Sequence, residues 1–235
     1  SSRTILLEGE KAFGFFTKIL EIFGFSDTIE KYSSCERKHG MKLLEDKIRE
    51  SAKVVDGDIV KVDMFLNHQI DVSLLQSLGE EFYRCFQNQG VTRILTAEAS
   101  GIALACMAAI FFQVPVVYAK KGHVRTQGDH VYRSEIFSYT RGKSTEISVS
   151  KDFLLSEDRI LIIDDFLASG NAVLGLKDLI DQAGAQLVGV GIAIEKGFQS
   201  GGQKLRESGI PLCSLAIISA IQNGEVLFRE EKAMI

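Results

Sequence analysis

Residues 161–172 have the sequence Leu-Ile-Ile-Asp-Asp-Phe-Leu-Ala-Ser-Gly-Asn-Ala. The aliphatic start, which follows Ile160, is typical of a buried strand in a parallel sheet. Residues 172–180 carry apolar side chains at helical spacing. Between strand and helix stand two adjacent carboxylates, Asp164 and Asp165, and a turn of small side chains. The segment therefore predicts a strand, an acidic pair at its carboxyl end, a tight turn and a helix.

This order of elements suits a phosphorylated sugar as ligand. Backbone N–H groups at the turn and at the helix start can bind a phosphate, helped by the helix dipole. Small side chains let the phosphate approach the backbone, and ionised carboxylates can accept hydrogen bonds from sugar hydroxyls or bind a metal. The alternative is an ordinary turn with both carboxylates in solvent. The position after a buried strand favours the ligand site, and the segment is neither a P-loop nor a dinucleotide-binding glycine motif.

A second unit of the same kind lies earlier in the chain. Arg93–Ala97 is predicted as a strand, residues 98–101 (Glu-Ala-Ser-Gly) as a turn, and Ile102–Phe112 as an almost wholly apolar helix. Strands and helices alternate from Asp71 to Glu195. This alternation predicts an α/β fold with a mainly parallel central sheet flanked by helices on both faces.

The flanking segments are less uniform. Asp71 is predicted to cap a helix, and residues 41–52 to form the first helix of the domain. Residues 122–140 are polar and lack a clear period, which is typical of a functional lid or a disordered segment, although residues 135–139 and 146–149 alternate like a hairpin. Basic residues in and before this stretch are candidate phosphate ligands: Lys120, Lys121 and Arg125.

The composition bounds the class of protein. The chain has 235 residues, 46% of them hydrophobic, which is enough for one domain with a full core. A net charge of -4 without a basic block argues against a surface for duplex nucleic acid, and no run approaches the roughly 20 apolar residues that span a bilayer. The cysteines lack metal-binding spacing, which is typical of reduced, mostly buried thiols in an intracellular protein. They are Cys35, Cys85, Cys106 and Cys213.

The central segment, residues 161–172, resembles the phosphoribosyl-pyrophosphate (PRPP) binding motif of the type I phosphoribosyltransferases. Three further segments extend the resemblance. They are residues 61–71 (Lys-Val-Asp-Met-Phe-Leu-Asn-His-Gln-Ile-Asp), 98–103 (Glu-Ala-Ser-Gly-Ile-Ala) and 194–199 (Ile-Glu-Lys-Gly-Phe-Gln). Together the four segments are similar to bacterial xanthine phosphoribosyltransferases, and the similarity covers residues 41–230.

The resemblance implies the type I phosphoribosyltransferase fold, with a small hood over the base, and transfer of the 5-phosphoribosyl group from PRPP to xanthine. Asp164 and Asp165 would be the catalytic pair, bound to the ribose hydroxyls. Val60, Asn67 and Lys196 would bind xanthine, and a lysine suits this acidic purine because it favours the anion. The PRPP-binding residues would be those of the two turns: Ala168, Ser169, Gly170, Asn171, Ala172, Ser100 and Gly101.

The same resemblance implies Mg²⁺, bound mainly through the pyrophosphate of PRPP and not directly by the protein. It also implies a homodimer in the cytoplasm, without a nucleic-acid or membrane partner. At Ala168 the chain departs from the hypoxanthine-guanine enzymes, which carry an acidic residue there, so alanine favours the xanthine or adenine type. Two alternatives are an adenine phosphoribosyltransferase and a non-catalytic, PRPP-sensing transcription repressor. The repressor would need an N-terminal winged helix, for which residues 1–40 are too short and insufficiently basic.

Residues 1–40 lie outside the resemblance. The first methionine is Met41, and the apolar stretch at residues 12–25 is short and interrupted by Lys18 and Glu21. We therefore expect residues 1–40 to be an upstream extension that is not part of the catalytic domain. Residues 41–235 would form the phosphoribosyltransferase domain.

Overall fold

The fold is organised around a sheet that has the strand with Asp164 and Asp165 near its centre. The computed structural model describes residues 39–55, 59–122, 130–138 and 143–229. The strands are β1 Lys53–Val55, β2 Ile59–Lys61, β3 Arg93–Ala97, β4 Val116–Lys121, β5 Val131–Ser138, β6 Lys143–Ser150, β7 Arg159–Leu167, β8 Gln186–Lys196, β9 Leu212–Gln222 and β10 Glu225–Phe228. The helices are α1 His39–Ser51, α2 Val72–Phe86, α3 Ser100–Phe112, α4 Asn171–Ala183 and α5 Gly201–Glu207.

The described residues form an eight-stranded sheet in the order β10-β9-β8-β7-β3-β4-β6-β5. Its five central strands, from β9 to β4, pair in parallel. The pairs at both edges, β9–β10, β4–β6 and β5–β6, are antiparallel. Strands β1 and β2 form a separate antiparallel hairpin. The predicted α/β fold with a mainly parallel sheet is confirmed.

Each face of the sheet has its own apolar core. Leu161 and Ile163 of β7 belong to a cluster with side chains of α2 and α3. Ile160 and Ile162 belong to a second cluster with side chains of α4. All four side chains are fully buried, because successive residues of a strand point to opposite faces and helices cover both. This explains the unbroken aliphatic run in the sequence.

Helix α2 begins where the sequence predicts. Asp71 adopts an extended backbone before the helix, and its Oδ1 accepts a hydrogen bond from the Leu74 N–H at 3.1 Å. That hydrogen bond, and a second one from Lys47, lower the pKa of Asp71. None of the helices in the described residues has both the length and the apolar composition of a membrane-spanning segment.

Two expectations from the sequence are wrong. Residues 131–134 were expected to be irregular, but they belong to β5, which pairs with β6 along its whole length. Cys85 and Cys213 were expected to be reduced and buried, but the structure joins them in a disulfide. Because 128 residues separate the two cysteines in the chain, their proximity arises only when α2 packs over the sheet.

The remaining cysteines divide between the described and the undescribed parts of the chain. Cys106 is a free thiol and is exposed, contrary to the expectation of burial. Cys35 lies outside the described residues, as do the proposed extension up to residue 38 and the predicted lid residues 123–129.

Candidate active site

The acidic pair lies near the carboxyl end of β7, within the strand itself. The Asp164 and Asp165 residues are each only 6% exposed. The Asp165 backbone N–H donates a hydrogen bond to Asp164 Oδ1 at 3.0 Å. Burial, and then the adjacent charge of Asp165, raise the pKa of Asp164 well above its ordinary value, while Lys121 opposes the shift. The pair therefore forms a buried acidic centre with one carboxyl that resists ionisation.

The turn between β3 and α3 contacts this pair directly. Ser100 Oγ donates a hydrogen bond to Asp165 Oδ1 at 3.0 Å. A methyl group added to Gly101 would overlap Thr96 Oγ1 and would lie 2.9 Å from Asp164 Oδ1. Only a glycine therefore lets the start of α3 approach the acidic pair this closely. The peptide bond between Glu98 and Ala99 in this turn is cis.

The turn between β7 and α4 presents a second helix start at the same edge of the sheet. Gly170 precedes α4 with φ at 87°, and no described side chain caps the helix. Helix α3 also lacks a capping side chain among the described residues, whereas α2 is capped by Asp71. The first N–H groups of a helix have no partner within the helix. The two uncapped starts are thus available to anionic groups on either side of the acidic pair.

Asn171, a predicted PRPP ligand, uses its side chain elsewhere. Its Nδ2 donates a hydrogen bond to the Phe137 carbonyl oxygen of β5 at 2.7 Å. The residue can therefore offer a ligand its backbone N–H in the first turn of α4. The other predicted members of this turn, Ala168, Ser169 and Ala172, are partly exposed.

Of the predicted base-binding residues, Lys196 lies at the carboxyl end of β8. Leu167 pairs with Glu195 across β7 and β8, so Ala168 and Lys196 follow as neighbours at this edge. Val60 of β2 is 6% exposed and shares an apolar cluster with Ile194 and Ile218. Lys196 pairs with the same Ile218 in β9.

Asn67 ends a short helical turn, Asp63–Asn67, whose Phe65 and Leu66 are buried. Both apolar side chains belong to the cluster that contains Val60, while Asn67 itself is exposed. The turn is thus anchored by its apolar residues and leaves the amide group of Asn67 accessible.

Several proteins that are about 50% identical to this chain are xanthine phosphoribosyltransferases. That of Ruminiclostridium cellulolyticum is 54% identical over 190 residues, which are 81% of this chain and 100% of that protein. That of Clostridium novyi is 50% identical over 189 residues, 80% of this chain and 100% of that protein. The chain belongs to the xanthine phosphoribosyltransferase family. The resemblance on which the sequence interpretation rests is confirmed, although no family model matches the chain.

Solved structures of adenine phosphoribosyltransferases share the fold of this family member. The Trypanosoma brucei protein, in complex with AMP, pyrophosphate and ribose-5-phosphate, has a TM-score of 0.63 at 22% identity, over 82% of this chain and 88% of that one. The Rhodothermus marinus protein has a TM-score of 0.63 at 23% identity, over 76% and 98%. These likenesses establish the type I phosphoribosyltransferase fold.

Sequence analysis missed a charged cluster beside the predicted base site of this xanthine phosphoribosyltransferase family member. Glu195 is 2% exposed, and its two oxygens accept hydrogen bonds from Arg206 at 2.8 and 2.7 Å. Ser214 Oγ donates a third, at 2.6 Å. Burial alone would raise the pKa of Glu195, but the hydrogen bonds from Arg206 and Ser214 outweigh it, and the pKa lies below its ordinary value.

Two smaller features also went unpredicted. Gly201, at the start of α5, donates a backbone hydrogen bond to the Ala168 carbonyl oxygen at 2.9 Å. Thr96 is fully buried, and its hydroxyl has no hydrogen-bond partner within the described part of the chain. The Gly201-Gly202 pair was the one visible signal of a close backbone approach, whereas a threonine inside an apolar strand gives none.

Proposed function

We propose that the protein is a xanthine phosphoribosyltransferase that transfers the 5-phosphoribosyl group from PRPP to xanthine. The products are xanthosine 5'-monophosphate and pyrophosphate, so the reaction would salvage a purine base. The observation that carries the proposal is the 54% identity to a xanthine phosphoribosyltransferase over the whole length of that relative. The arrangement around the acidic pair gives the proposal its chemistry.

The two phosphate-bearing ends of PRPP match the two uncapped helix starts. The turn at residues 168–172 would hold the 5-phosphate through backbone N–H groups at the start of α4. Ser100 and Gly101, at the start of α3, would hold the pyrophosphate. Support comes from the position of both turns beside the acidic pair, one in contact with Asp165 and the other directly following β7.

Departure of pyrophosphate leaves positive charge on the sugar, so catalysis depends on charge stabilisation more than on a nucleophile. Asp164 and Asp165 would hold the ribose hydroxyls and stabilise that charge from a buried, preorganised position. Positive charge on the ribose would favour the ionised form of Asp164, whose pKa is raised in the protein alone. The two carboxylates would thus be stabilised by the positive charge of the transition state, which the empty site lacks.

Val60, Asn67 and Lys196 would fix the base. Xanthine loses a proton more readily than the other common purines, and the Lys196 ammonium group would favour the anion. Ala168 offers no acidic side chain for use as a base on the purine. The proposal therefore relies on the ionisation of xanthine itself to supply a nucleophilic ring nitrogen.

We infer that Mg²⁺ serves as cofactor, bound mainly through the pyrophosphate of PRPP. No group of three or more metal-binding side chains occurs within residues 39–229 as far as they are described. Mg²⁺ usually keeps several waters and relies on substrate phosphates and not on a dedicated protein cage, so the ion would arrive with PRPP while the acidic pair holds the ribose hydroxyls. Its chemical contribution would be to neutralise the leaving pyrophosphate.

The proposal extends to a homodimer in the cytoplasm, with residues 41–235 as the catalytic domain and residues 1–40 as an extension. The family resemblance supports the homodimer and the cytoplasmic location. The division of the chain is supported by a relative whose full length is matched by 81% of this chain. The adenine enzyme and the PRPP-sensing repressor are not favoured, because the half-identical relatives are named for xanthine.

An ultraviolet assay with PRPP and Mg²⁺ tests the proposal. Purified protein is supplied in parallel with xanthine, guanine, hypoxanthine and adenine, and we expect the highest kcat/KM on xanthine. Faster turnover of adenine would contradict the assignment of the base pocket. Absence of turnover with any base, together with retained PRPP binding, would support the repressor alternative instead.

A further inference from the structure

The turn that follows β7 is packed against a second glycine from a distant part of the chain. The Gly201 N–H donates its hydrogen bond to the Ala168 carbonyl oxygen at 2.9 Å. A methyl group on Gly201 would overlap that oxygen and would lie 2.7 Å from the Gly170 nitrogen. A methyl group on Gly170 would lie 3.3 Å from the Gly201 Cα, which is a tight contact. The two backbones are therefore in direct contact.

The position of Gly201 is itself fixed by the buried Glu195. Arg206, one turn further along α5, holds both Glu195 oxygens in a bidentate ion pair. A methyl group on Gly202 would overlap Glu195 Oε1, so the helix lies directly against the carboxylate. Ser214 of β9 donates to the same carboxylate. These contacts attach α5 to the carboxyl end of β8 and to the beginning of β9.

We propose that Gly201 is a positioning residue for the 5-phosphate turn, held in place by the Glu195–Arg206 ion pair. The backbone N–H groups of residues 168–172 can point at one phosphate only when the turn has one conformation. The contact with Gly201 fixes the Ala168 carbonyl, and with it the direction of the Ser169 N–H, which belongs to the same planar peptide group. This inference rests on the proposed function, because it assigns the 5-phosphate to that turn.

The inference predicts a selective defect. A hydrogen bond from a backbone N–H to a charged group such as a phosphate is worth roughly tenfold or more in affinity. A Gly201→Ala protein, whose turn is displaced from the phosphate, should therefore bind ribose 5-phosphate about tenfold or more weakly. Pyrophosphate, which would be bound at Ser100 and Gly101, should keep its affinity. A residue that merely fills space in the fold would not distinguish these two compounds.

The experiment measures dissociation constants for ribose 5-phosphate and for pyrophosphate with Mg²⁺ by isothermal titration calorimetry. The control variant is Gly79→Ala, because a methyl group on Gly79 of α2 would lie 2.7 Å from the Met107 carbonyl carbon of α3. Both variants thus force a methyl group against backbone, but only one does so at the 5-phosphate turn. Gly79→Ala should lower the melting temperature and leave both dissociation constants unchanged.

Arg206→Lys provides a milder test that does not depend on the folding of Gly201→Ala. Lysine keeps the charge but cannot form the bidentate pair. Ribose 5-phosphate affinity should therefore fall about threefold, the net worth of one lost hydrogen bond, and by less than with Gly201→Ala. Gln203→Ala, on the exposed side of the same helix, should have no effect. If Gly201→Ala does not fold, selective weakening of ribose 5-phosphate by Arg206→Lys supports the inference, and unchanged affinity overturns it.

The outcomes separate the inference from the proposed function. Equal weakening of both compounds by Gly201→Ala, or weakening of neither, overturns the positioning role even if the wild-type protein converts xanthine. Selective weakening supports the positioning role even if the wild-type protein prefers another base. If the wild-type protein binds neither compound, the proposed 5-phosphate site and the positioning role both fail.

Discussion

Two neighbouring aspartates show how position determines the energetics of identical side chains. Asp164 and Asp165 are buried to the same extent, yet Asp165 accepts a hydrogen bond from Ser100 while Asp164 lies against the Gly101 backbone. Burial and the neighbouring charge raise the pKa of Asp164. A carboxyl group held in this way reduces stability when it ionises, and carboxyl groups of this kind cluster at functional sites.

Replacement of Asp164 by Asn should therefore stabilise the ligand-free protein. The pKa of Asp164 is raised in the folded state, so its contribution to stability is complete below the ordinary carboxyl pKa of about 4 and is lost as the pH rises through the folded-state value. Asparagine does not ionise and avoids that loss. We expect the Asp164→Asn protein to gain on the order of 1 kcal/mol at pH 7, and the gain to vanish towards pH 4.

The same variant should lose catalysis, with kcat at least about 100-fold lower, because charge stabilisation in the transition state is removed. Thermal melting across pH 4–8 and the xanthine assay measure the two effects. Asp178→Asn, at an exposed position on α4, serves as control and should change neither. A lower melting temperature for Asp164→Asn at pH 7 would contradict the raised pKa.

Lys196 allows a separate test of the base pocket. If its ammonium group binds the xanthine anion, Lys196→Ala should raise KM for xanthine about 10- to 100-fold, which is the usual worth of a charged hydrogen bond. KM for PRPP should change much less. Lys204→Ala, which removes an exposed charge from α5, is the matched control. Steady-state kinetics with each substrate varied in turn give both constants, and equal changes in the two would remove Lys196 from the pocket.

At the scale of the element, β7 has a carboxylate network at each end. Asp158 directly precedes the strand and is buried. It accepts hydrogen bonds from Arg93 Nε and the Leu155 N–H, both at 2.9 Å, and from Thr92 Oγ1 at 3.1 Å. Burial alone would raise the pKa of Asp158, but these hydrogen bonds outweigh it, so the pKa lies below its ordinary value. The carboxylate that precedes β7 therefore has its hydrogen-bond partners within the protein, whereas the acidic pair near the carboxyl end is the proposed ligand site.

Asp158→Asn should therefore behave in the opposite way to Asp164→Asn. Because the folded-state pKa of Asp158 is lowered, its stabilisation is present above the ordinary carboxyl pKa and is lost as the pH falls through the folded-state value. Loss of the buried partner of Arg93 should cost about 3 kcal/mol at pH 7, and less in acid. Melting curves across pH 3–7 measure this difference. The kcat of the folded variant should be unchanged, and a loss of kcat would place Asp158 in the active site.

The sequence predicted those elements that local patterns define. Strand β3 matches its prediction at Arg93–Ala97, and Asp71 caps α2 as expected, because hydrophobic period and capping chemistry act within a few residues. Helix α5 was not predicted, since it has only seven residues, two of them glycines at its start. It is stabilised by the ion pair between Glu195 and Arg206, a tertiary contact that no local pattern reports.

At the scale of the molecule, parallel pairing brings the site together. The β3, β7 and β8 strands end on the same side of the sheet, and two contacts join the segments around these strand ends. Ser100 donates to Asp165, and Gly201 donates to the Ala168 carbonyl oxygen. The acidic pair and both turns could be predicted from sequence because each lies at or just after the carboxyl end of a strand. The contacts that join them could not, because they depend on how far each strand extends.

The activity is expected to require only the part of the chain from Met41 onward. Deletion of residues 1–40 removes the first two residues of α1 but keeps Leu44 and Ile48, which are fully buried in the core. We expect the shortened protein to keep its melting temperature and its kcat/KM for xanthine. Deletion of residues 1–52 also removes both buried side chains and should cost about 4 kcal/mol or more, since burying each is worth roughly 2 kcal/mol at least. Melting curves and xanthine kinetics on both deletions measure this, and loss of activity in the shorter deletion would assign residues 1–40 to the working domain.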